Sequence, residues 1–449
     1  MSPRFPSLDK TLVIEYVMRS YPIAFSTLNV LALEAMNTVM SSRIGTRQAA
    51  AVVLANTLLN VFKKANTGLS VSLVPLVEQA HRRRKYNQVT QIFKQGLVLN
   101  ALLASLFCLI MLGLSYYGFP TSHNAEITMV GHPYLRIIAF SLIPSAMNNT
   151  IRRYLEGISF GKIGLLMSFF TLTTNVLFNF LLLYGWHAFP MLGLNGVGIA
   201  ILLSEVLTVL AGMLYVVYVL KPKGYLIDLN FKDVSESYFS KIWNIGWLAG
   251  LQFGLESIYL LFIAMLAGRI GIEAQAAHAI LFNICQLITI FSVGLGLSSS
   301  MLVAQQQGTQ NGLLVRKVAL TGCTMIWGIS ILVGLILVPM LPYIVSFYST
   351  VATLQHVVQL AIKHLFVFQL LYGLCYWGNS VLRGLDDRVF PFLVGLGTQF
   401  LGAVGCYITV IHYQWGIHGV WIALIIERML LGLFLFIRFE TKTKKFTDC

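Results

Sequence analysis

Residues 193–200 read GLNGVGIA, and residues 416–423 read GIHGVWIA. The two strings share Gly, Gly-Val, Ile and Ala at one spacing. Each opens an apolar run long enough to cross a bilayer, which takes about 20 residues as a helix. Working outward, further pairs recur in the same order. At an offset of 226, Arg43-Ile44-Gly45 matches Arg269-Ile270-Gly271, and Ala50-Ala51 matches Ala276-Ala277. Gly68-Leu69 matches Gly294-Leu295, and Leu76-Val77 with Gln79 matches Leu302-Val303 with Gln305. Leu155 and Gly157 then match Leu382 and Gly384. The chain is a tandem repeat of two halves.

Composition fixes the solvent of those halves. Of 449 residues, 57% are apolar and 11% charged, against about 25% charged in an average soluble domain. The mean hydropathy is +0.76. One soluble core cannot hide so much apolar surface, since cores stop growing near about 250–300 residues. Disorder, a disulfide scaffold and most soluble enzymes are excluded. Twelve apolar segments emerge: 20–41, 48–76, 94–116, 133–152, 160–184, 192–219, 242–267, 274–304, 313–340, 357–382, 389–412 and 416–438. In lipid the backbone must satisfy its own hydrogen bonds, so each run reads as a helix. The fold class is all-α and polytopic, with twelve transmembrane helices in two pseudo-symmetric six-helix lobes.

The net charge is +14. In a soluble chain this would suggest nucleic acid. Here the bases cluster in short connections between apolar runs, so no nucleic-acid partner is expected. One set of connections carries 21 Lys and Arg, including Arg82-Arg83-Arg84-Lys85; the other carries 3, namely Arg43, Arg47 and Arg269. Positive charge marks the cytoplasmic side, so both termini are expected in the cytoplasm and the protein in the cell inner (plasma) membrane. The polar stretch 220–241 reads as a cytoplasmic linker between an N-terminal lobe, 1–219, and a C-terminal lobe, 242–438, with a tail at 439–449. Six spans per half is even, so both halves share one orientation. Such repeats are related by an axis along the membrane normal and place substrate at their interface. The six cysteines include no CxxC and read as small core residues.

These motifs resemble the multidrug and toxic compound extrusion (MATE) family, in a NorM/DinF-like bacterial branch. Pro22 and Asn37-Thr-Val-Met40 are similar to the family's DTxM stretch. LVPLVEQA at 73–80 and MLVAQQQG at 301–308 are similar to its AQxxG. Asn175 and Asn179, Ala276-Ala277-His278 with Asn283, Leu382-Arg383-Gly384 with Asp386-Asp387, and Gly419-Val420-Trp421-Ile422 complete the series. Together they span most of 17–438. The resemblance implies a V-shaped pair of lobes and a secondary antiporter that exports drug-like organic solutes against H⁺ or Na⁺.

An ionisable group at mid-bilayer costs about 2.5–3.5 kcal/mol, so each one demands a reason. Glu256 lies near the middle of segment seven. Gln252 and Tyr259 share its helix face by their i−4 and i+3 spacing. A carboxylate there can exchange its charge for a proton or a cation, and by resemblance Glu256 is the family's segment-seven acid. Glu34 lies three residues before Asn37, which stands where many members have aspartate. Asn175 and Asn179 match amides of the family's amino-terminal cation site. With Asn37 in the aspartate's place, that site cannot take a proton and makes a poor Na⁺ cage. Lys63 and Lys64 interrupt segment two. They read either as partners of Glu34 or as an anion-attracting patch. Counting back from the Leu-Arg-Gly motif, the branch's second acid falls at or near Tyr372, leaving Glu256 a lone acid in the carboxy-terminal lobe. One carboxylate suits H⁺ better than Na⁺, which wants several oxygen ligands. Glu205 and Glu427 read as lobe-packing residues or as the outer cytosolic edge, and His278 as a core histidine or a proton relay. Gln252, Tyr259, Lys63, Lys64, Tyr372 and His278 are expected to line the substrate cavity.

Two function classes follow. The first is an ion-coupled exporter of organic solutes. The second is a lipid-linked oligosaccharide or lipid flippase of the same superfamily, which Lys63 and Lys64 fit but Glu256 does not. There is no HExxH, no aspartate pair within the apolar spans and no Ser/His pair at one depth, so an intramembrane enzyme is not expected. No cofactor is expected, and no metal-ligand set stands out. The partners expected are small organic substrates and the bilayer, with the protein a monomer.

Overall fold

The computed structural model describes residues 10–42, 46–117, 125–185, 190–222, 224, 236–307, 312–348 and 352–445. Arg43–Gly45, Gly308 and most of the 220–241 linker lie outside the described residues. The helices are α1 (Lys10–Ser42), α2 (Thr46–Val71), α3 (Leu73–Arg82), α4 (Tyr86–Tyr117), α5 (Ala125–Gly157), α6 (Gly161–Tyr184) and α7 (Gly193–Tyr215). The second half has α8 (Glu236–Ile270), α9 (Ile272–Gln307), α10 (Gly312–Tyr348), α11 (Ala352–Gly384), α12 (Val389–Tyr407) and α13 (Gly416–Lys445). A short π-helical turn follows α7 at Val216–Leu220 and α12 at Ile408–His412. With α2 and α3 taken as one interrupted span, these are the twelve segments that hydropathy marks out.

The interruption has a local cause. Pro75 has no N–H to give to the carbonyl of Val71, four residues back, and its ring crowds that carbonyl. Helix α2 therefore ends at Val71 and α3 begins at Leu73. Serine hydroxyls bond carbonyls around the break: Ser72 donates to Leu69 O at 2.6 Å and Ser70 to Asn66 O at 3.2 Å. In the second repeat Met301 stands where Pro75 stands, and α9 runs 36 residues without a break.

Nine helices among the described residues are long and apolar enough to cross a membrane unaided. Their outer faces are apolar stripes at helical spacing. Leu102, Leu106, Leu109 and Ile110 are exposed on α4, and Ile331, Leu332, Leu335 and Ile336 on α10. Such faces have no place in water and match lipid chains.

By contacts the residues form two compact units. One is Phe25–Gly254, here the N-unit; the other is Met1–Ala24 with Leu255–Cys449, here the C-unit. Each unit thus takes in the start of a helix from the other half. Glycine makes this possible. A Cβ on Gly68 of α2 would lie 2.5 Å from Ala249 O on α8, and one on Gly250 would lie 2.7 Å from Ala65 O. In the C-unit, a Cβ on Gly294 of α9 would lie 2.7 Å from Ser20 O on α1. Gly68 and Gly294 are repeat mates, each bringing a neighbouring backbone into contact as small residues do in membranes.

Within each unit two apolar clusters are stacked with a polar layer between them. On α13 one C-unit cluster ends at Leu424 and the other resumes at Leu431; on α11 the gap falls between Phe368 and Cys375. In the N-unit the gap falls between Leu59 and Leu69 on α2, Leu99 and Ala104 on α4, and Ala146 and Ile151 on α5. The helices pack side by side, so gaps at one depth form a continuous polar layer.

Candidate functional site

The C-unit layer is built on α13, whose apolar run from Gly416 is interrupted by Glu427 and Arg428. Arg428 Nη2 donates to Glu256 Oε1 on α8 at 2.9 Å. Arg428 Nε lies 2.9 Å from Glu427 Oε2, an ion pair by distance. The angle is wrong for a hydrogen bond, and neither atom has another partner. Thr398 on α12 donates to Glu427 Oε1 at 3.4 Å. From α11, the Tyr372 ring lies 4.9 Å under the guanidinium, and the Cys375 thiol donates to the Arg428 carbonyl at 3.1 Å. Gly402 on α12 makes room for the remaining member. A Cβ there would lie 2.6 Å from the Tyr259 hydroxyl and 2.9 Å from Glu427 Cγ. The Glu427 side chain is fully buried, that of Arg428 is 4% exposed and that of Glu256 19%.

This geometry corrects the reading of Glu256 as a lone acid. Glu256 is paired with a permanent cation, and Glu427 supplies a second carboxylate from α13. Tyr372 occupies the place at which a second acid is expected on α11, and it stacks on the cation instead. The Glu427–Arg428 pair was readable in the sequence as two adjacent charges about 18 Å along a helix from Gly416, which is mid-bilayer depth. With both acids ionised the cluster carries one net negative charge. It can take up one further positive charge and lose it again, which is what an ion-coupled site must do.

In the N-unit the structure brings Asn37, Asn175 and Asn179 together. Asn179 Nδ2 donates to Asn37 Oδ1 at 2.7 Å and to Asn175 Oδ1 at 2.9 Å, and Asn175 Nδ2 donates to Ser204 Oγ at 3.4 Å. All three are buried, and the set carries no charge. Beside them, Glu205 accepts from Asn148 Nδ2 at 2.9 Å. In register from Gly193 and Gly416, Arg428 stands where Glu205 stands. The two units therefore place opposite charges at one repeat position.

Lys63 is half-buried and Lys64 exposed, and both lie within electrostatic reach of Glu34. Lys63 is flanked by Asn56, which accepts from Tyr134, and by Thr67, which accepts from Asn149; both donors are on α5. Gln252 is buried in the N-unit, whereas Glu256 and Tyr259 belong to the C-unit. His278 is buried on α9, with its ring 5.7 Å from that of Trp421 and 6.0 Å from that of Phe282.

The family model described as MatE matches the chain twice, at residues 22–181 and 249–408. The chain belongs to the MatE family. The two matches fall one in each half, so the tandem repeat is the family's own. As a MatE protein it is membrane-embedded. Among similar proteins, a probable multidrug resistance protein NorM of a Synechococcus species is 27% identical over 417 residues, covering 91% of this chain and 89% of that relative. A probable NorM of Halalkalibacterium halodurans is 23% identical over 430 residues, covering 95% and 93%. Among solved structures, an outward-facing multidrug resistance MATE family transporter of the MOP superfamily superposes with a TM-score of 0.87 at 18% identity, covering 99% of this MatE chain and 100% of that one. A MOP superfamily transporter from Pyrococcus furiosus gives 0.85 at 18% identity, covering 98% and 100%. These likenesses establish the two-lobe, twelve-helix fold.

Proposed function

We propose that this MatE protein is a secondary active exporter of organic, drug-like or toxic solutes, working by alternating access in exchange for H⁺. The reading is supported by its NorM relatives and, above all, by the Glu256–Arg428–Glu427 cluster. Two carboxylates share one guanidinium, so one proton brings the cluster from net negative to neutral. Protonated Glu256 releases its share of Arg428, which Glu427 then holds alone. The contact that ties α8 to α13 weakens as a result. An ion that binds one conformation better than another shifts the balance between them, which is the thermodynamic content of coupling.

Arg428 also argues for H⁺ over Na⁺. The guanidinium already fills the cation position beside Glu256, so Na⁺ would have to displace a tethered charge, whereas a proton adds to the carboxylate in place. The protein acts as a monomer in the cell inner membrane, with both termini in the cytoplasm, needs no cofactor and takes small organic molecules as its partners.

The deciding experiment is efflux from proteoliposomes, with a panel of organic solutes tested under separate H⁺ and Na⁺ gradients. Gradient-driven efflux of one or more solutes under H⁺ supports the proposal. Gradient-independent movement of lipid or lipid-linked sugar would replace it with a flippase, the class that Lys63 and Lys64 fit.

A further inference from the structure

Besides Glu427 and Arg428, four buried polar side chains of the C-unit have atoms without a hydrogen-bond partner among the described residues. They are His278 Nδ1, Trp421 Nε1, the Tyr259 hydroxyl and both amide atoms of Gln369. Their exposures are 4%, 0%, 6% and 2%. A buried polar group left bare is costly, and native proteins satisfy such groups with ordered water where protein cannot reach. Unpartnered buried atoms also occur elsewhere in the chain; these four are set apart by their place on α8, α9, α11 and α13 around the acid cluster.

They are also contiguous with the acid cluster. The His278 ring lies 5.7 Å from that of Trp421, Trp421 lies 5.6 Å from Phe368, Phe368 lies 5.8 Å from Tyr372, and Tyr372 carries the Arg428 guanidinium. Gln369 follows Phe368 and precedes Tyr372 by three residues, hence on the same face of α11. Tyr259 closes the series, because the gap left by Gly402 sets its hydroxyl beside Glu427. By helical rise, Trp421 and His278 lie about 8–9 Å from the ends at Gly416 and Ile272, whereas Glu427 lies about 17 Å from Gly416 and Glu256 about 21 Å from the adjacent end of α8 at Ile270. The orphans thus step from one end of the unit down to Glu427, whose Oε2 itself accepts no hydrogen bond.

We propose that His278, Trp421, Gln369 and Tyr259 hold a file of internal waters that carries protons from the Ile272–Gly416 end of the C-unit to the Glu427–Arg428–Glu256 cluster. An internal water needs two to four polar partners, and these side chains supply donors and acceptors at successive depths. Histidine and tyrosine can each donate and accept, so they pass a proton without net change. Gln369 and Trp421 anchor and orient water. The proton enters one water and leaves another, and it ends on a carboxylate oxygen of Glu427 or Glu256; no electrons move. The other titratable or charged groups facing the cluster are Tyr372, Cys375, Tyr376 and Arg383 on α11 and Cys406 on α12. The path rests on the proton-coupled reading of the site.

The test uses full-length protein in proteoliposomes, with ethidium efflux and internal pyranine read together. The variants are Gln369→Leu and Trp421→Phe, which remove the water anchors and keep the shape. Proton-driven efflux and pyranine response should slow about tenfold in each, with ethidium affinity unchanged, as expected when a relay loses one of its few partners. A structure resolving internal solvent should show water within hydrogen-bond reach of His278 Nδ1 and the Gln369 amide. Wild-type rates in both variants, together with a raised melting temperature, would mean that the groups are dry and the path does not exist. Efflux by wild-type protein that runs on Na⁺ alone would instead remove the proton reading itself, whatever the variants do.

Discussion

Arg428 and Glu256 are 172 residues apart in sequence and 2.9 Å apart in space. The bond joins the last membrane helix to the first helix of the second half. Under the proposed mechanism the same acid changes its charge, so structure and coupling would meet in one contact.

The stability of the C-unit should depend on that contact. Arg428→Gln leaves two carboxylates facing each other without their cation, and breaking a buried pair in this way costs about 3–5 kcal/mol. Melting in detergent should fall steeply. The triple change Glu256→Gln, Glu427→Gln, Arg428→Met should recover most of the loss, because it removes the charges together. Equal melting temperatures for the single variant and the wild type would show that the guanidinium is not holding the acids.

Transport should depend on the acid alone. Glu256→Gln keeps the shape and a hydrogen-bonding oxygen for Arg428, so the protein folds and binds solute. Gradient-driven efflux should be lost. Undiminished efflux in vesicles with an imposed proton gradient would take Glu256 out of the coupling step.

Much of this architecture was legible in the sequence, and the gaps are instructive. Hydropathy marks all twelve spans, because lipid-facing stripes such as Leu102, Leu106 and Leu109 are a direct record of the solvent. The repeat is legible because glycines at close approaches, Gly68 and Gly294, cannot drift. Glu427 reads from sequence as a packing residue, because the acid that shares its cation, Glu256, lies on a helix far away in sequence and pairing is a property of space. The break at Ser72 is not legible in hydropathy. Pro75 signals it, but hydropathy runs smoothly through the position, so the apolar run reads as a single helix to residue 76.

The lysines of the N-unit make a separate test. Lys63 and Lys64 with Glu34 leave that region one positive charge, while Asn37, Asn175 and Asn179 add none. Lys63→Met with Lys64→Met should shift solute preference away from anionic and zwitterionic compounds, measured as efflux across a charged panel. An unchanged profile with a lowered melting temperature would assign the lysines to structure.

The α2–α8 crossing should be intolerant of volume. Gly68→Val drives a side chain into the Ala249 carbonyl, and overpacking costs about 1–3 kcal/mol or more where backbone cannot yield. Folded yield by size-exclusion chromatography should collapse. Gly113→Ala, on α4 with nothing within 4 Å of the added carbon, should match or exceed wild type, since alanine favours helix by about 1 kcal/mol.

Residues 10–24 open helix α1 yet pack with residues made after position 254. During synthesis the leading turns of α1 must wait in the bilayer, their glycine-seated partner α9 not yet built, until more than half the polypeptide has followed. A gene cut at the midpoint would give two products, each missing a wall that the other carries, so neither fragment should mature alone and the pair should rescue one another when made together.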